Sequence, residues 1–201
     1  MKFSANLSQW HFKFAIIIAS CLLYLIAFKV TELLTPYLMY DWVYLVFLPA
    51  GTKLICILLF GIWGSIGDAI ALFFVTLHIR PNVSTTDALI YAVAGSLITL
   101  LSIKFLLHLF KVKTNLSNLK YWHIPSISLL TSVLHAVIFN IVFSELQSGK
   151  TYDDQYLVRS VAMAFGDFTG IALIILLLIF AISKSKLLRL FIANIQTKIG
   201  A

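Results

Sequence analysis

The stretch Asp41-Trp-Val-Tyr-Leu-Val-Phe-Leu-Pro-Ala-Gly-Thr-Lys-Leu-Ile-Cys-Ile-Leu-Leu-Phe-Gly-Ile-Trp-Gly-Ser-Ile-Gly-Asp-Ala69 decides the fold. It is apolar enough to lie in a bilayer, yet it contains a helix-breaking Pro49-Ala50-Gly51, the cation Lys53, three glycines spaced by three (Gly61, Gly64, Gly67) and the acid Asp68. Hydrocarbon tolerates broken backbone and charge only where protein or water shields them. The stretch therefore reads as one wall of a buried polar site, and the remaining walls have to come from other helices.

Composition agrees. The chain has 201 residues, 61% hydrophobic and only 11% charged, with a mean hydropathy of +0.98, far from the usage of a soluble domain. The net charge of +7 does not point to nucleic acid, because the basic residues lie between apolar runs rather than on one patch. Cys21 and Cys56 fall inside apolar runs and form neither a disulfide framework nor a metal-ligand motif.

Hydropathy predicts an all-α polytopic protein of one domain, residues 1–201, with about six transmembrane helices over 14–34, 42–62, 64–79, 86–110, 126–145 and 156–183. A basic amphipathic tail is expected over 184–201. The second span is Pro/Gly-interrupted, as either a kink or a true break at Pro49. A two-residue turn, Trp63-Gly64, is expected between the second and third spans. Lys2, Lys13, Lys104, Lys111, Lys113, Lys120, Lys184, Lys186, Arg189 and Lys198 fall on one side, against Lys29, Arg80, Lys150 and Arg159 on the other. The positive-inside rule then predicts both termini cytoplasmic, in the inner (plasma) membrane.

Three ionisable residues reach the bilayer midplane in this scheme, Lys53, His135 and Asp167, with Asp68 nearer the cytoplasmic end. An unpaired charge there costs about 3 kcal/mol, so Lys53 is expected to face Asp167 with His135 close by. A break at Pro49 would also start a half-helix at Gly51 and Thr52 whose free N–H groups favour an anion. Lys53, His135, Asp167, Thr52, Gly51 and Asp68 are thus the candidate ligand-binding residues. The competing reading is a buried ion pair that only fixes helix packing. Ser128, Thr131, Ser132 and His135 form a polar stripe that either lines a cavity or bonds its own backbone.

The Leu48-Pro-Ala-Gly-Thr-Lys53 opening, the Phe60-Gly-Ile-Trp-Gly-Ser-Ile-Gly-Asp68 hairpin and Phe165-Gly-Asp-Phe-Thr-Gly-Ile-Ala-Leu173 resemble the integral membrane sensor domains (first type of the membrane-associated sensor class) of bacterial signalling proteins. Pro49, Gly51, Gly166, Asp167 and Gly170 match that family's pattern, and the resemblance implies ligand sensing in the inner membrane. Size, span number and the Ala15/Ala19 pair of the first helix are similar to the substrate-binding membrane subunits of energy-coupling-factor vitamin transporters, which dock an ATPase module.

No Gly-x-Ser-x-Gly, His-Glu-x-x-His or phosphate-cradling loop is present, so an intramembrane enzyme is not expected, and neither is a cofactor or metal. The expected partners are membrane lipid, a small-molecule ligand and a separate protein, either a signalling enzyme or an ATPase module.

Overall fold

The computed structural model describes residues 2–34, 39–40, 43–113, 115–146 and 156–184. The tail over 185–201 and the Lys150–Asp154 loop lie outside them. The described residues form six helices: α1 (Lys2–Leu34), α2 (Leu48–Phe60), α3 (Ile62–Ile79), α4 (Thr85–Leu109), α5 (His123–Leu146) and α6 (Tyr156–Lys184). Two two-residue strands, β1 (Met39–Tyr40) and β2 (Val43–Tyr44), pair antiparallel just before α2. All the helices except α2 contain a segment long and apolar enough to cross a bilayer, and large apolar side chains such as Phe14, Leu22, Phe74, Leu101, Phe105 and Phe180 stand on the outer faces. The chain is a multi-pass, all-α membrane protein.

The second span departs from the expected 42–62 helix. With 13 residues, α2 covers about 20 Å, short of a hydrocarbon core of roughly 30 Å. Pro49 sits in its first turn rather than within a longer helix, where a missing N–H costs nothing. The break is complete, and residues 43–47 approach it without helical structure.

Non-helical backbone at this depth needs partners, and α6 supplies most of those found among the described residues. Phe47 N–H donates to Gly166 O (3.0 Å), and the Thr169 hydroxyl reaches Leu45 O (2.7 Å). Leu48 N–H, at the start of α2, donates to Thr31 Oγ1 of α1 (3.1 Å). The approach is possible because α6 offers glycines: a Cβ at Gly166 would meet the Tyr44 carbonyl, and one at Gly170 the Phe47 carbonyl. Gly51 lies against Gly170 and Ile174 in the same seam. These contacts run α2 parallel to α6.

The turn into α3 is the single residue Gly61, at φ 58°, a conformation that side chains disfavour; Trp63 and Gly64 are already helical. Gly64 packs on the Cys56 carbonyl of α2 and Gly67 on the Ile17 carbonyl of α1. α4 is capped at its N-terminus by Ser84, whose Oγ accepts from Asp87 N–H (3.0 Å). Ser65 and Ser96 join α3 to α4, Oγ to Oγ at 2.9 Å. Trp10 and Trp63 stack edge-on at one rim with the Lys13 ammonium over both rings. Glu32, Lys29 and His78 link up at the opposite rim. Helix directions therefore put the start of α1 and the end of α6 on one side. Leu54, Ile57, Leu100, Ile103, Leu106 and Ile127 form an apolar core toward that side, and Tyr24, Phe28, Ala71 and Val75 form another between α1 and α3. A polar layer lies among them.

Candidate functional site

The polar layer takes one ionisable residue from each of four helices. Lys53 comes from the first half of α2, Asp68 from α3, His135 from the middle of α5 and Asp167 from the first half of α6. All four are buried, with 3%, 1%, 6% and 3% of their surfaces exposed respectively. Helix spacing explains the inward aim on α5, since Ser128, Thr131, Ser132 and His135 share the buried face while Leu129, Leu130 and Val133 point out.

The pairing differs from the expected one. Asp167 Oδ2 bonds to His135 Nδ1 at 2.7 Å, and Lys53 Nζ donates instead to the Gly95 carbonyl of α4 at 3.4 Å. A glycine stripped of side chain leaves its carbonyl open to the ammonium, and His135 reaches Asp167 because α5 packs directly on α6. Lys53 remains within electrostatic range of both Asp167 and Asp68. With Asp167 ionised, the 2.7 Å bond takes its proton from His135 Nδ1, and Nε2 of the neutral imidazole is then an acceptor.

Lys53, Thr99, Thr131, Ser132, His135 and Asp167 surround a void of about 10 Å³, closed by Ala50, Leu54 and Ile171. That is the space of about one water molecule. Thr131 Oγ1, Ser132 Oγ and His135 Nε2 are buried without a hydrogen-bond partner, as are both carboxylate oxygens of Asp68. Buried polar atoms are ordinarily bonded, so this layer holds unused bonding capacity around a cavity and beside it. Asp68 stands off the void, near Cys21 and Tyr24 of α1 and Cys56 of α2.

Two candidate residues lie elsewhere. Thr52 turns its hydroxyl back to Pro49 O of its own helix (3.0 Å), and Gly51 is occupied by the packing of α6. The start of α2 is likewise taken, since the Thr31 hydroxyl and the Phe47 carbonyl accept from Leu48 and Ala50 N–H. Conversely, Gly95 and Thr99 of α4 belong to the layer and were not among the expected residues. Their signal was the buried run Gly95, Ser96, Thr99 and Ser102, small and polar at helical spacing within an apolar span.

Family models, curated proteins and solved structures provide no match to this chain. The functional reading rests on the geometry of the polar layer. Among the described residues no group of His, Cys, Asp and Glu is arranged to hold a metal ion.

Proposed function

We propose that this chain is a membrane-embedded sensor module that binds a small ligand in the Lys53–His135–Asp167 layer, with Asp68 as its flank, and passes the change to a separate protein. One observation carries the reading: three ionisable side chains from three helices, Lys53, His135 and Asp167, converge in the bundle interior around a void lined by unpartnered polar atoms. Charge held inside a membrane protein is costly and is found where ions, protons or polar ligands are handled. A void of about 10 Å³ accepts a water-sized occupant, so anything larger has to part α2 from α5 and α6. That movement is the signal, because the ligand then favours a differently packed bundle.

The expected site is the inner (plasma) membrane, with both termini cytoplasmic. A second reading, the substrate-binding subunit of a vitamin-type transporter, is favoured by one feature: Ala15 and Ala19 lie exposed on the outer face of α1, where a coupling subunit would dock closely.

Affinity purification from the native membrane in mild detergent separates the two. Recovery of a cyclase or kinase supports the sensor, and recovery of an ATPase module supports the transporter subunit. A homogeneous protein with neither, whose thermal stability no small carboxylate or vitamin raises, would remove both.

A further inference from the structure

The polar layer contains one cation for two carboxylates. Lys53 is within electrostatic range of Asp167 and of Asp68; a neutral His135 can donate to an ionised Asp167 through Nδ1 across their 2.7 Å contact, and a second proton on the buried Nε2 would find no hydrogen-bond partner. Among the described residues, the other titratable groups facing the layer are Cys21 and Tyr24 of α1 and Cys56 of α2. Thiols and phenols are neutral at neutral pH by their ordinary titration ranges and supply no positive charge. α4 contributes the Gly95 carbonyl and hydroxyls. With every acid ionised the layer would therefore keep one negative charge in excess, in a place where an unbalanced charge is neutralised rather than tolerated.

The two carboxylates are not equivalent. Asp167 is bonded to His135 and lines the void with Lys53, whereas Asp68 is 1% exposed and neither of its oxygens has a partner. We propose that Asp68 is a proton-binding site, its carboxyl holding one exchangeable proton at neutral pH while Lys53 balances Asp167. This deepens the proposed function by naming the proton as the ligand class of the same layer. On release the O–H electron pair stays on the carboxylate, the proton passes to water, and the new charge on Asp68 draws Lys53 from the His135–Asp167 side toward α3. Lys53 can make that move because its one hydrogen bond, at 3.4 Å, is long and leaves two of its protons uncommitted.

The test is infrared spectroscopy of the purified full-length protein in lipid nanodiscs, in sodium-free buffer at neutral pH. A carboxylic-acid C=O band that shifts in D₂O and disappears in Asp68→Asn is expected; Asn is isosteric with the protonated acid, and Asp68→Ser serves if Asn does not fold. No such band in the wild-type protein would overturn the proposal, and so would a band that survives both substitutions. A band abolished by adding sodium would overturn it in favour of a metal-cation site. The spectrum involves no partner, so its failure leaves the partner-recovery experiment standing, and loss of every partner leaves a positive spectrum standing.

Discussion

Two neighbouring regions on either side of the first turn of α2 treat buried polar groups in opposite ways. Up to Gly51, the broken backbone is answered group by group: Phe47 N–H by Gly166 O, Leu48 N–H by Thr31, and Leu45 O by Thr169. One turn further on, around Lys53, the Asp68 oxygens, Thr131 Oγ1, Ser132 Oγ and His135 Nε2 stay unanswered. Both regions stand in the same bundle interior, where an unmet polar group costs about 1–3 kcal/mol. A chain able to satisfy a non-helical segment inside the membrane has the means to satisfy five further atoms. The contrast marks the seam as structure and the layer beside it as a place kept open to an occupant.

The strongest way to break the comparison is to spoil the seam. Gly166→Val or Gly170→Val would drive a side chain into the Tyr44 or Phe47 carbonyl. Backbone on both sides cannot yield without losing the hydrogen bonds of residues 45–48, so a loss of roughly 3 kcal/mol or more is expected. Unfolding in detergent measures it. Variants as stable as the parent would mean that the 43–47 segment is not held against α6.

Charge substitutions should behave differently, because the layer can rearrange its protons. Lys53→Met leaves Asp167 without a cation and should cost about 3 kcal/mol, while adding Asp167→Leu should recover most of the loss. Asp167→Asn alone should cost distinctly less than Lys53→Met, since Asp68 can ionise to balance Lys53. Equal costs for the two single variants, read by the same unfolding assay, would contradict a proton reserve on Asp68. The Lys53→Met/Asp167→Leu protein should fold and fail to bind ligand if the layer is a site. Full function would reduce the cluster to packing glue.

Much of this was legible in the residues. Apolar run length marked the membrane helices, and Pro49-Ala50-Gly51 marked an interruption, because proline and lipid each impose a steric or solvation rule that acts locally. Burial of Lys53, His135, Asp68 and Asp167 followed from their positions within apolar runs. What sequence did not contain was rotation and partner choice. Lys53 and Asp167 are opposite charges at similar depth, yet α5 lies on α6 and gives Asp167 to His135. Gly51 reads as a ligand-binding position at a half-helix start until Gly170 and Ile174 are found against it. The fate of residues 43–47 was equally hidden: Val43 to Phe47 is as apolar as any helix, and it stays non-helical because α6 offers glycines at 166 and 170 and a hydroxyl at 169.

The smallest effects sharpen the boundary between the two regions, and a pair of threonines on either side measures it. Thr169 sends its hydroxyl across to Leu45 O at 2.7 Å, joining α6 to the segment that precedes α2. Thr169→Val keeps the shape, removes that bond and leaves a carbonyl unmet, so a loss of about 1 kcal/mol is expected. Thr52 bonds only to Pro49 O of its own helix at 3.0 Å and does not line the void. Thr52→Val should therefore cost no more than about 0.5 kcal/mol, and should leave ligand-induced stabilisation and the Asp68 carboxyl band unchanged. A Thr52→Val protein that folds normally but no longer responds to ligand would place α2's first turn inside the site, and the line between seam and layer would have to be drawn one turn earlier, at Pro49.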